Sequence, residues 1–309
     1  MKEDAVLVKD FRKNYSDFVA VDGITFEVHR GEIFGLLGPN GAGKTTTLES
    51  LEGLRHPSSG SLIVLGVDPV KQPKRLRGLI GVQLQSCGLP ASMTPREAME
   101  FFCAYHRVAP RVDLLDRLGL MEKKNTQFSA LSTGQQRRLS LALAIAHDPP
   151  VVLLDEPTAG LDVGSRVELH EVMRELQANG TTIILATHDM AEAEKMADRV
   201  AILLKGKIAA TGSPAQLTAS GNGLVKVSVS SEKASLAQVG NYFPAVSQQI
   251  VKNEYVVYYS RDAGATVPAI LDCLKANDDH LVDLRVERPS LEDRFIEITR
   301  TDPSNGGRS

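Results

Sequence analysis

Hydrophobic and polar positions follow two patterns along the first two thirds of the chain. Residues 5–10 and 24–28 alternate with a period of two, which predicts half-buried strands. Largely apolar runs at 31–37, 151–154 and 181–186 predict fully buried strands, as in parallel sheets. Because segments with helical periodicity separate these strands, we expect an α/β fold with a mostly parallel sheet and helices on both faces.

Local start and stop signals place the remaining elements of this region. Thr94-Pro95-Arg96-Glu97 is a capping box with proline at the first helical position, so we expect helical structure over 94–127. A second helix is expected to start at Ser132. The same reasoning predicts helices over 45–54, 163–178 and 191–198, and strands over 61–65, 79–84, 200–204 and 207–210.

A second domain is expected after residue 217. Small residues at 218–223 predict a linker, and residues 224–230 resume a clean alternation. We expect a small α+β domain over 223–301, with the βαββαβ order of ferredoxin-like folds, and a disordered tail at 302–309. Its helices are predicted at 233–239, 265–275 and 291–299, and its later strands at 246–250, 255–259 and 281–286.

Composition narrows the class of protein. The 309 residues carry a formal net charge of −3, which gives no general attraction for nucleic acid or anionic lipid. Three widely spaced cysteines form no metal or disulfide pattern and suit a reducing compartment. The N-terminus lacks the apolar core of a signal peptide, and no run approaches 18 apolar residues. We therefore expect a soluble chain without a membrane span.

A complete phosphate-binding motif follows the strand at 31–37. In the pattern G-x-x-x-x-G-K-[ST], glycines let consecutive backbone N–H groups curl around an anion, and the following helix points its positive end at it. Lys44 can reach the β- and γ-phosphates, and the Thr45 hydroxyl can ligate Mg²⁺. The motif predicts a nucleoside triphosphate with Mg²⁺ at Gly38, Pro39, Asn40, Gly41, Ala42, Gly43, Lys44, Thr45 and Thr46.

Two acids end the apolar strand at 151–154. Asp155 is placed to hold Mg²⁺, and Glu156 is placed to act as general base for an attacking water. Taken alone, two acids after a strand are more often an ordinary solvated turn. Because ligands of such sheets bind at the carboxyl ends of the strands, where the phosphate-binding motif also lies, we favour the catalytic interpretation.

The segment around Ser132 has two compatible interpretations. Ser132 and Gln135 form an S-x-x-Q capping box, which predicts a capped helix. The N-terminus of that helix, which includes Gly134, is also suited to bind an anion. In isolation the capping interpretation is favoured, because most helices are capped and few bind anions.

Single residues at strand ends are weaker candidates. His188 follows the strand at 181–186 and Gln85 follows the strand at 79–84. A lone histidine or glutamine in such a place is usually a turn residue. Tyr15 can offer an aromatic face to a purine, although most lone tyrosines only pack. Met93, Phe101, Phe102 and Tyr105 are expected to be helix core rather than a docking surface.

Taken together, these elements resemble an ATP-binding-cassette (ABC) ATPase. The resemblance covers residues 1–217 and implies a P-loop cassette with an antiparallel β subdomain and a helical subdomain over about 86–147. It also implies ATP and Mg²⁺ as ligands. The elements that carry it, in the order typical of the family, are Tyr15, residues 38–46, Gln85, residues 131–135, residues 151–156, residues 159–162 and His188.

The resemblance assigns roles to residues on the nucleotide's own chain. Tyr15 would stack on adenine, and Thr46 would bond the α-phosphate. Thr45 and Asp155 would hold Mg²⁺, with Lys44 on the β- and γ-phosphates. The catalytic residues would be Glu156 as general base, His188 on the γ-phosphate, and Gln85 as sensor of the γ-phosphate and Mg²⁺.

A second cassette would complete the site. Ser132, Gly134 and Gln135 would close on ATP bound by the other subunit of a homodimer, and Asp162 would cross the same interface. ATP would hold the two subunits together and hydrolysis would release them. One departure from the family is Thr133, which replaces the first glycine of the usual Leu-Ser-Gly-Gly-Gln signature; we expect it to be tolerated.

The C-terminal part of the chain, about a quarter of its length and ending with residues 289–299, is similar to the tail domain of daunorubicin-type drug exporters, which pair with a separate permease. This similarity implies an energy-coupling subunit at the cytoplasmic face of the membrane, with no nucleic-acid partner. Gln85 and part of residues 86–110 would line the groove for a permease helix. The alternatives are an importer ATPase whose C-terminal domain binds a regulatory ligand, and a soluble ABC ATPase acting on ribosomes or DNA.

Overall fold

The computed structural model describes residues 3–85, 88–219, 224–238, 243–287 and 290–301. The chain divides into two compact units, residues 1–213 and residues 214–309. The division precedes the expected linker because residues 214–219 form a helix whose buried Leu217 belongs to the second unit. Residues 220–223 and the tail expected at 302–309 lie outside the described residues.

The first unit begins with an antiparallel sheet of three strands. Strand β1 (Asp4–Tyr15) lies between β2 (Phe18–His29) and β4 (Ser59–Val64). The apolar residues that alternate along β1 and β2 face the core, where Phe11 and Val28 are fully buried. This sheet confirms the antiparallel part of the predicted fold.

A six-stranded sheet forms the centre of the first unit. Its order is β5-β6-β7-β3-β8-β9, and the first five of these strands are parallel. The last strand, β9, is antiparallel to β8, as the predicted hairpin requires. The strands are β3 (Ile33–Leu37), β5 (Ile80–Gln83), β6 (Val151–Asp155), β7 (Thr182–Thr187), β8 (Arg199–Leu204) and β9 (Lys207–Gly212).

Helices connect these strands. Helix α1 (Lys44–Leu51) follows β3, the short α2 (Pro73–Leu76) precedes β5, α6 (Val163–Ala178) joins β6 to β7, and α7 (Met190–Met196) follows β7. Three helices are inserted between β5 and β6. They are α3 (Pro95–His106), α4 (Val112–Arg117) and α5 (Thr133–Ile145), with 3-10 turns at Met121–Lys123 and Phe128–Ala130.

The two capping boxes read from the sequence are both formed. Thr94 caps α3 and exchanges hydrogen bonds with Glu97, and Ser132 caps α5 and exchanges hydrogen bonds with Gln135. Sequence signals of this kind are local, so they fix where a helix starts whatever surrounds it.

The second unit is an α+β sheet structure. Its four strands are antiparallel in the order β11-β12-β10-β13, and Val227, Tyr258 and Ile270 are fully buried at its core. Its elements are α8 (Pro214–Ala219), β10 (Val225–Ser231), β11 (Val246–Lys252), β12 (Tyr255–Ser260), α9 (Ala263–Ala276), β13 (Leu281–Glu287) and α10 (Leu291–Thr301).

The helix predicted over 233–239 is replaced by a 3-10 turn at Ser235–Ala237, and Val239 lies outside the described residues. The cause is a side chain distant in sequence. The Asp279 carboxylate accepts hydrogen bonds from the backbone N–H groups of Lys233 and Ser235 and from two serine hydroxyls. Burial alone would raise the pKa of Asp279, but these hydrogen bonds hold it well below its usual range. Ala234 adopts φ 51°, which is incompatible with a continuous helix.

Candidate functional site

The loop at 38–43 has a backbone that two of its glycines make possible. Gly43 caps α1 with φ 104°, and a Cβ there would lie 2.7 Å from the Ala20 carbonyl oxygen. A Cβ on Gly38 would lie 2.4 Å from the Leu203 carbonyl oxygen. A larger residue at either position would therefore displace neighbouring backbone.

Lys44 is the buried cation of the site. Its Nζ donates hydrogen bonds to the carbonyl oxygens of Gly38 (2.6 Å) and Pro39 (3.3 Å). It also lies 3.5 Å from Oε1 of Glu156, and both side chains are buried. A buried charge is stable only with such partners, so the ammonium and the carboxylate hold each other at the mouth of the loop.

Thr45 and Asp155 form the second contact between the loop and the sheet. The Thr45 hydroxyl donates to Oδ2 of Asp155 over 2.9 Å, which joins α1 to the end of β6. Oδ1 of Asp155 is buried without a hydrogen-bond partner among the described residues. Burial raises the pKa of Asp155, and the hydrogen bond from Thr45 opposes that rise only in part. This pair of oxygen donors is of the kind that Mg²⁺ prefers.

Glu156 joins three strands of the central sheet. Its Oε2 lies 2.8 Å from Nδ1 of His188, which follows β7, while its Oε1 faces Lys44. Its backbone adopts φ 50°, and its N–H donates to the Ala186 carbonyl oxygen over 2.9 Å. A non-glycine residue in this conformation carries strain of about 1–3 kcal/mol, which is typical of functional positions.

Tyr15, Gln85 and Glu156 border one pocket with the phosphate-binding loop. The pocket has a volume of about 310 Å³ and is lined by these three residues, by residues 39–46, and by Phe18 and Ala20. The ring of Tyr15 faces the cations of Lys13 and Arg55. The structure thus brings Tyr15, the loop, Gln85 and Glu156 together, and Asp155 and His188 join them through Thr45 and Glu156.

The remaining predicted residues form a separate surface of the same unit. Ser132, Gly134, Gln135 and Asp162 do not line this pocket. Asp162 caps α6, accepting hydrogen bonds from the N–H and hydroxyl of Ser165. A Cβ on Gly134 would lie 3.2 Å from that Ser165 hydroxyl, so the N-termini of α5 and α6 are packed side by side.

A link between α5 and the strand that precedes Gln85 was missed by sequence reasoning. The Arg137 guanidinium donates to the Leu84 carbonyl oxygen over 3.3 Å, and the buried Gln83 amide donates to the Arg137 carbonyl oxygen over 3.5 Å. These contacts tie the helix that starts at Ser132 to the strand end that carries Gln85. An arginine inside a helix gives no signal of such a contact.

A second missed feature is a buried polar network behind Glu156 and His188. Oε1 of Glu192 accepts a hydrogen bond from the Thr158 hydroxyl (2.8 Å) and lies 3.1 Å from Nε2 of His170. All three residues are buried. The network joins the loop after Glu156 to α6 and α7, so it positions the segments that carry Glu156, Asp162 and His188. The only sequence signal was Glu192 in the first turn of α7, which reads as an ordinary helix residue.

A larger groove lies between the sheet and the inserted helices. It has a volume of about 420 Å³ and is bordered by Leu84, Phe102, Tyr105 and His147, among others. Phe101 and Tyr105 are 60% and 57% exposed, so the expectation that they are helix core is wrong for these two. They lie on the outer side of α3, whose buried face is formed by Ala98, Met99 and Cys103.

Glu52, His106 and His147 are titratable residues that line this groove. Burial raises the pKa of Glu52 to about 7, aided by the charges of Glu49 and Asp155. The rings of His106 and His147 stack 3.7 Å apart. Burial, with the neighbouring His106, lowers the pKa of His147 to about 4. Gln85 lines the pocket of the phosphate-binding loop, whereas its neighbour Leu84 lines this groove.

None of the helices in the described part of the chain is long and apolar enough to span a bilayer. No group of three or more histidine, cysteine, aspartate or glutamate side chains there could hold a metal.

The chain is similar to known ATP-binding proteins. The sequence model described as "ABC transporter" matches residues 21–159. The Nod factor export ATP-binding protein I of Paraburkholderia xenovorans (strain LB400) is 35% identical over 307 residues, which cover 97% of this chain and 98% of that protein.

Solved structures agree with this similarity. The protein cbiO1 from Clostridium perfringens, described as part of the ABC transporter complex cbiONQ, is 31% identical, with a TM-score of 0.62 over 71% of this chain and 92% of its own. A dimer of the ATP-binding cassette MJ0796 in a post-hydrolysis state with ADP and Pi is 25% identical, with a TM-score of 0.63 over 67% of this chain and 98% of its own.

Proposed function

The chain belongs to the family of ABC transporter ATPases, and from this membership we propose that it powers export of a lipophilic or drug-like compound through a separate permease. The observation that carries the catalytic part is the position of Glu156, which lies against both Lys44 and His188. The export part is supported by a relative that aligns over almost the whole chain and is named an export ATP-binding protein. More specifically, we propose that the chain is an ATPase of the daunorubicin-type class of drug exporters.

In the proposed reaction, the chain's own residues bind ATP and accept one proton. The loop N–H groups and Lys44 would bind the phosphates, and the Tyr15 ring would stack on adenine. Glu156 would take the proton of the water that attacks the γ-phosphate, and His188 would donate a hydrogen bond to that phosphate. Gln85 borders the same pocket and would orient the water.

The residues present fit a magnesium ion. The Thr45 hydroxyl and the Asp155 carboxylate offer hard oxygen donors, and Oδ1 of Asp155 has no other partner among the described residues. Mg²⁺ commonly takes one or two protein ligands and completes its shell with water and substrate phosphates. When bound, it would neutralise charge on the β- and γ-phosphates.

We propose that the active unit is a homodimer in which each ATP lies between two chains. Ser132, Gly134, Gln135 and Asp162 lie outside the pocket of their own chain, and a second chain would bring them to it. The related cassette MJ0796 has been described as a dimer, which supports this arrangement.

We further propose that the groove bordered by Leu84, Phe102 and Tyr105 receives a helix of the permease, which would hold the chain at the cytoplasmic face of the membrane. Exposed aromatic residues beside an apolar groove are typical of a helix-binding surface. The inserted helix α5 borders this groove and also begins at Ser132, so it would connect permease and ATP site.

For the second unit we propose a ferredoxin-like fold. Its strand order and antiparallel pairing support this proposal, although its first helix is only a 3-10 turn. The residue ranges 1–217 for the cassette and 223–301 for this domain are proposed with it, although helix α8 (Pro214–Ala219) already belongs to the second compact unit.

The transport proposal can be tested by cross-linking. A Tyr105→Cys variant, reconstituted with the membrane protein that co-purifies with this chain, should cross-link to a cytoplasmic helix of that protein. Glu122→Cys is the matched control, because Glu122 is exposed on the same inserted region but does not border the groove. Equal cross-linking of both variants, or contact only elsewhere, would reject the groove as the docking site.

A further inference from the structure

Strand β13 forms one edge of the four-stranded sheet. Among the described residues it pairs only with β10, so its other side faces no strand. Its apolar side chains are unusually exposed for a sheet: Leu281 is 42%, Val282 63% and Val286 51% exposed. An edge strand with exposed valines is a template for pairing with another strand.

We propose that β13 pairs antiparallel with β13 of a second copy of this chain, with the two-fold axis at Leu284. In that register Val282 of one copy lies opposite Val286 of the other, and Asp283 lies opposite Arg285. The two-fold axis produces each of these pairs twice. Apolar and opposite-charge pairs of this kind each stabilise a sheet by about 0.2–1 kcal/mol.

The charges of β13 select this register over its neighbours. Side chains that lie opposite each other in a sheet point to the same face, and side chains along a strand alternate between faces. The two-fold axis must therefore pass through a residue, and the neighbouring registers have their axes at residues 283 and 285. An axis at residue 283 would place two aspartates opposite each other, and an axis at residue 285 would place two arginines opposite each other. Both arrangements are destabilising.

The other edge of the sheet lacks this self-complementarity. Strand β11 would pair with its own copy around Gln249, which places Ser247 opposite Val251 and Gln248 opposite Ile250. Neither pair matches apolar with apolar or opposite charges. The pattern that favours a second copy is therefore specific to β13.

The charged side chains of β13 already lie together on one face of the sheet. Oδ2 of Asp283 accepts hydrogen bonds from Arg285 Nε and from the Tyr255 hydroxyl, each over 2.7 Å. Arg285 remains 58% exposed at its side chain, so it can contact a second carboxylate. Pairing would set two aspartates and two arginines in an alternating array across the axis.

This interface would join two four-stranded sheets into one continuous sheet without nucleotide. Two chains held in this way would keep their cassettes at a high effective concentration between rounds of ATP binding. The interface would lie in the second unit alone, whether or not Glu156 is the general base.

The test uses the full chain without nucleotide and two charge reversals. Asp283→Arg places arginine opposite Arg285, and Arg285→Asp places aspartate opposite Asp283, so each variant alone should dimerise at least roughly tenfold more weakly than the unsubstituted chain. In an equimolar mixture, a heterodimer places the two arginines of the Asp283→Arg chain opposite the two aspartates of the Arg285→Asp chain. Both opposing pairs are then of unlike charge, although positions 283 and 285 carry like charges within each chain. Sedimentation should therefore show dimer restored in the mixture, as heterodimer.

Three results would overturn the proposal: a chain that stays monomeric at about 100 μM, single variants that dimerise normally, or a mixture that fails to restore dimer. Melting curves and ATP binding check that both variants are folded. As a second readout, Val282→Cys mixed with Val286→Cys should react with a short bismaleimide to give heterodimer. Val251→Cys on the opposite edge is the control and should not cross-link to either.

Discussion

The two halves of the proposed ATP site differ in how their polar groups are satisfied. Around the phosphate-binding loop, buried charges hold each other: Lys44 faces Glu156, and Thr45 donates to Asp155. At the other half, the side chains of Ser132 and Asp162 cap helices. The first half carries backbone strain and a carboxylate oxygen that has no hydrogen-bond partner among the described residues, whereas the second half is complete as a structural element.

This difference indicates which residues act mainly in ligand binding and hydrolysis and which also stabilise the fold. Residues that are buried, charged and bonded to one another are poised to exchange those partners for a ligand. Residues that cap helices contribute to folding even without a ligand. Substitutions in the first half should therefore alter binding or hydrolysis, and substitutions in the second should alter stability as well.

The largest expected effect is that of Glu156→Gln. Loss of the general base should lower steady-state phosphate release by roughly 10²–10⁴-fold, because an amide cannot accept the proton of the attacking water. The ATP-bound dimer should then accumulate, as gel filtration with ATP would show. Glu122→Gln, at an exposed position, should change neither quantity. Near-normal turnover by the Glu156 variant would contradict the catalytic assignment.

Lys44→Ala should mainly weaken ATP binding. Charged hydrogen bonds to phosphate contribute about 1.5–3 kcal/mol, so calorimetry should show affinity reduced by roughly 10–100-fold. The exposed Lys123→Ala variant controls for loss of a positive charge. Unchanged affinity in the Lys44 variant would mean that the loop does not bind the phosphates.

Glu52 is a buried carboxyl group outside both halves of the proposed ATP site, so we expect it to affect stability but not ATP binding. Its pKa is about 7 in the folded chain against an ordinary 4.5, so the folded state binds its proton more tightly. Stability should therefore fall as pH rises from 4.5 to 7, by up to about 3 kcal/mol at pH 8.

Glu52→Gln should remove this loss, so that urea unfolding shows the variant gaining stability over the unsubstituted chain at pH 8 but not at pH 4. ATP affinity should not change, because Glu52 does not border the pocket of the phosphate-binding loop. An equal difference at both pH values would show that Glu52 does not titrate as described.

The smallest expected effect is that of Ser132→Ala on folding. Loss of this cap should cost about 1 kcal/mol of unfolding free energy, and so should Thr94→Ala at the other capping box of the inserted helices. The two variants should differ in hydrolysis, which only the Ser132 variant should lower, and both should bind ATP normally. If both variants hydrolyse ATP equally well, Ser132 is only a cap.

Local patterns predicted most of the elements. Helix α6 begins and ends where the sequence placed it, and β6 extends the predicted strand by one residue to Asp155. The failures depend on parts of the chain that are distant in sequence. The hydrogen bonds of Asp279 replace a predicted helix with a 3-10 turn, and Phe101 and Tyr105 lie on the outer side of α3. Neither the partners of Asp279 nor the buried face of α3 can be read from a window of neighbouring residues.

The sequence by itself determined the phosphate-binding loop, the acids that end β6 and the two helix caps, because glycine backbones, buried runs and capping boxes act over a few residues. Only the tertiary structure decided that Glu156 meets both Lys44 and His188, that Thr158, His170 and Glu192 form one buried network, and that β13 lies at a sheet edge. Such contacts join residues far apart in the chain, and the pairing of the strands, rather than any local preference, brings them together.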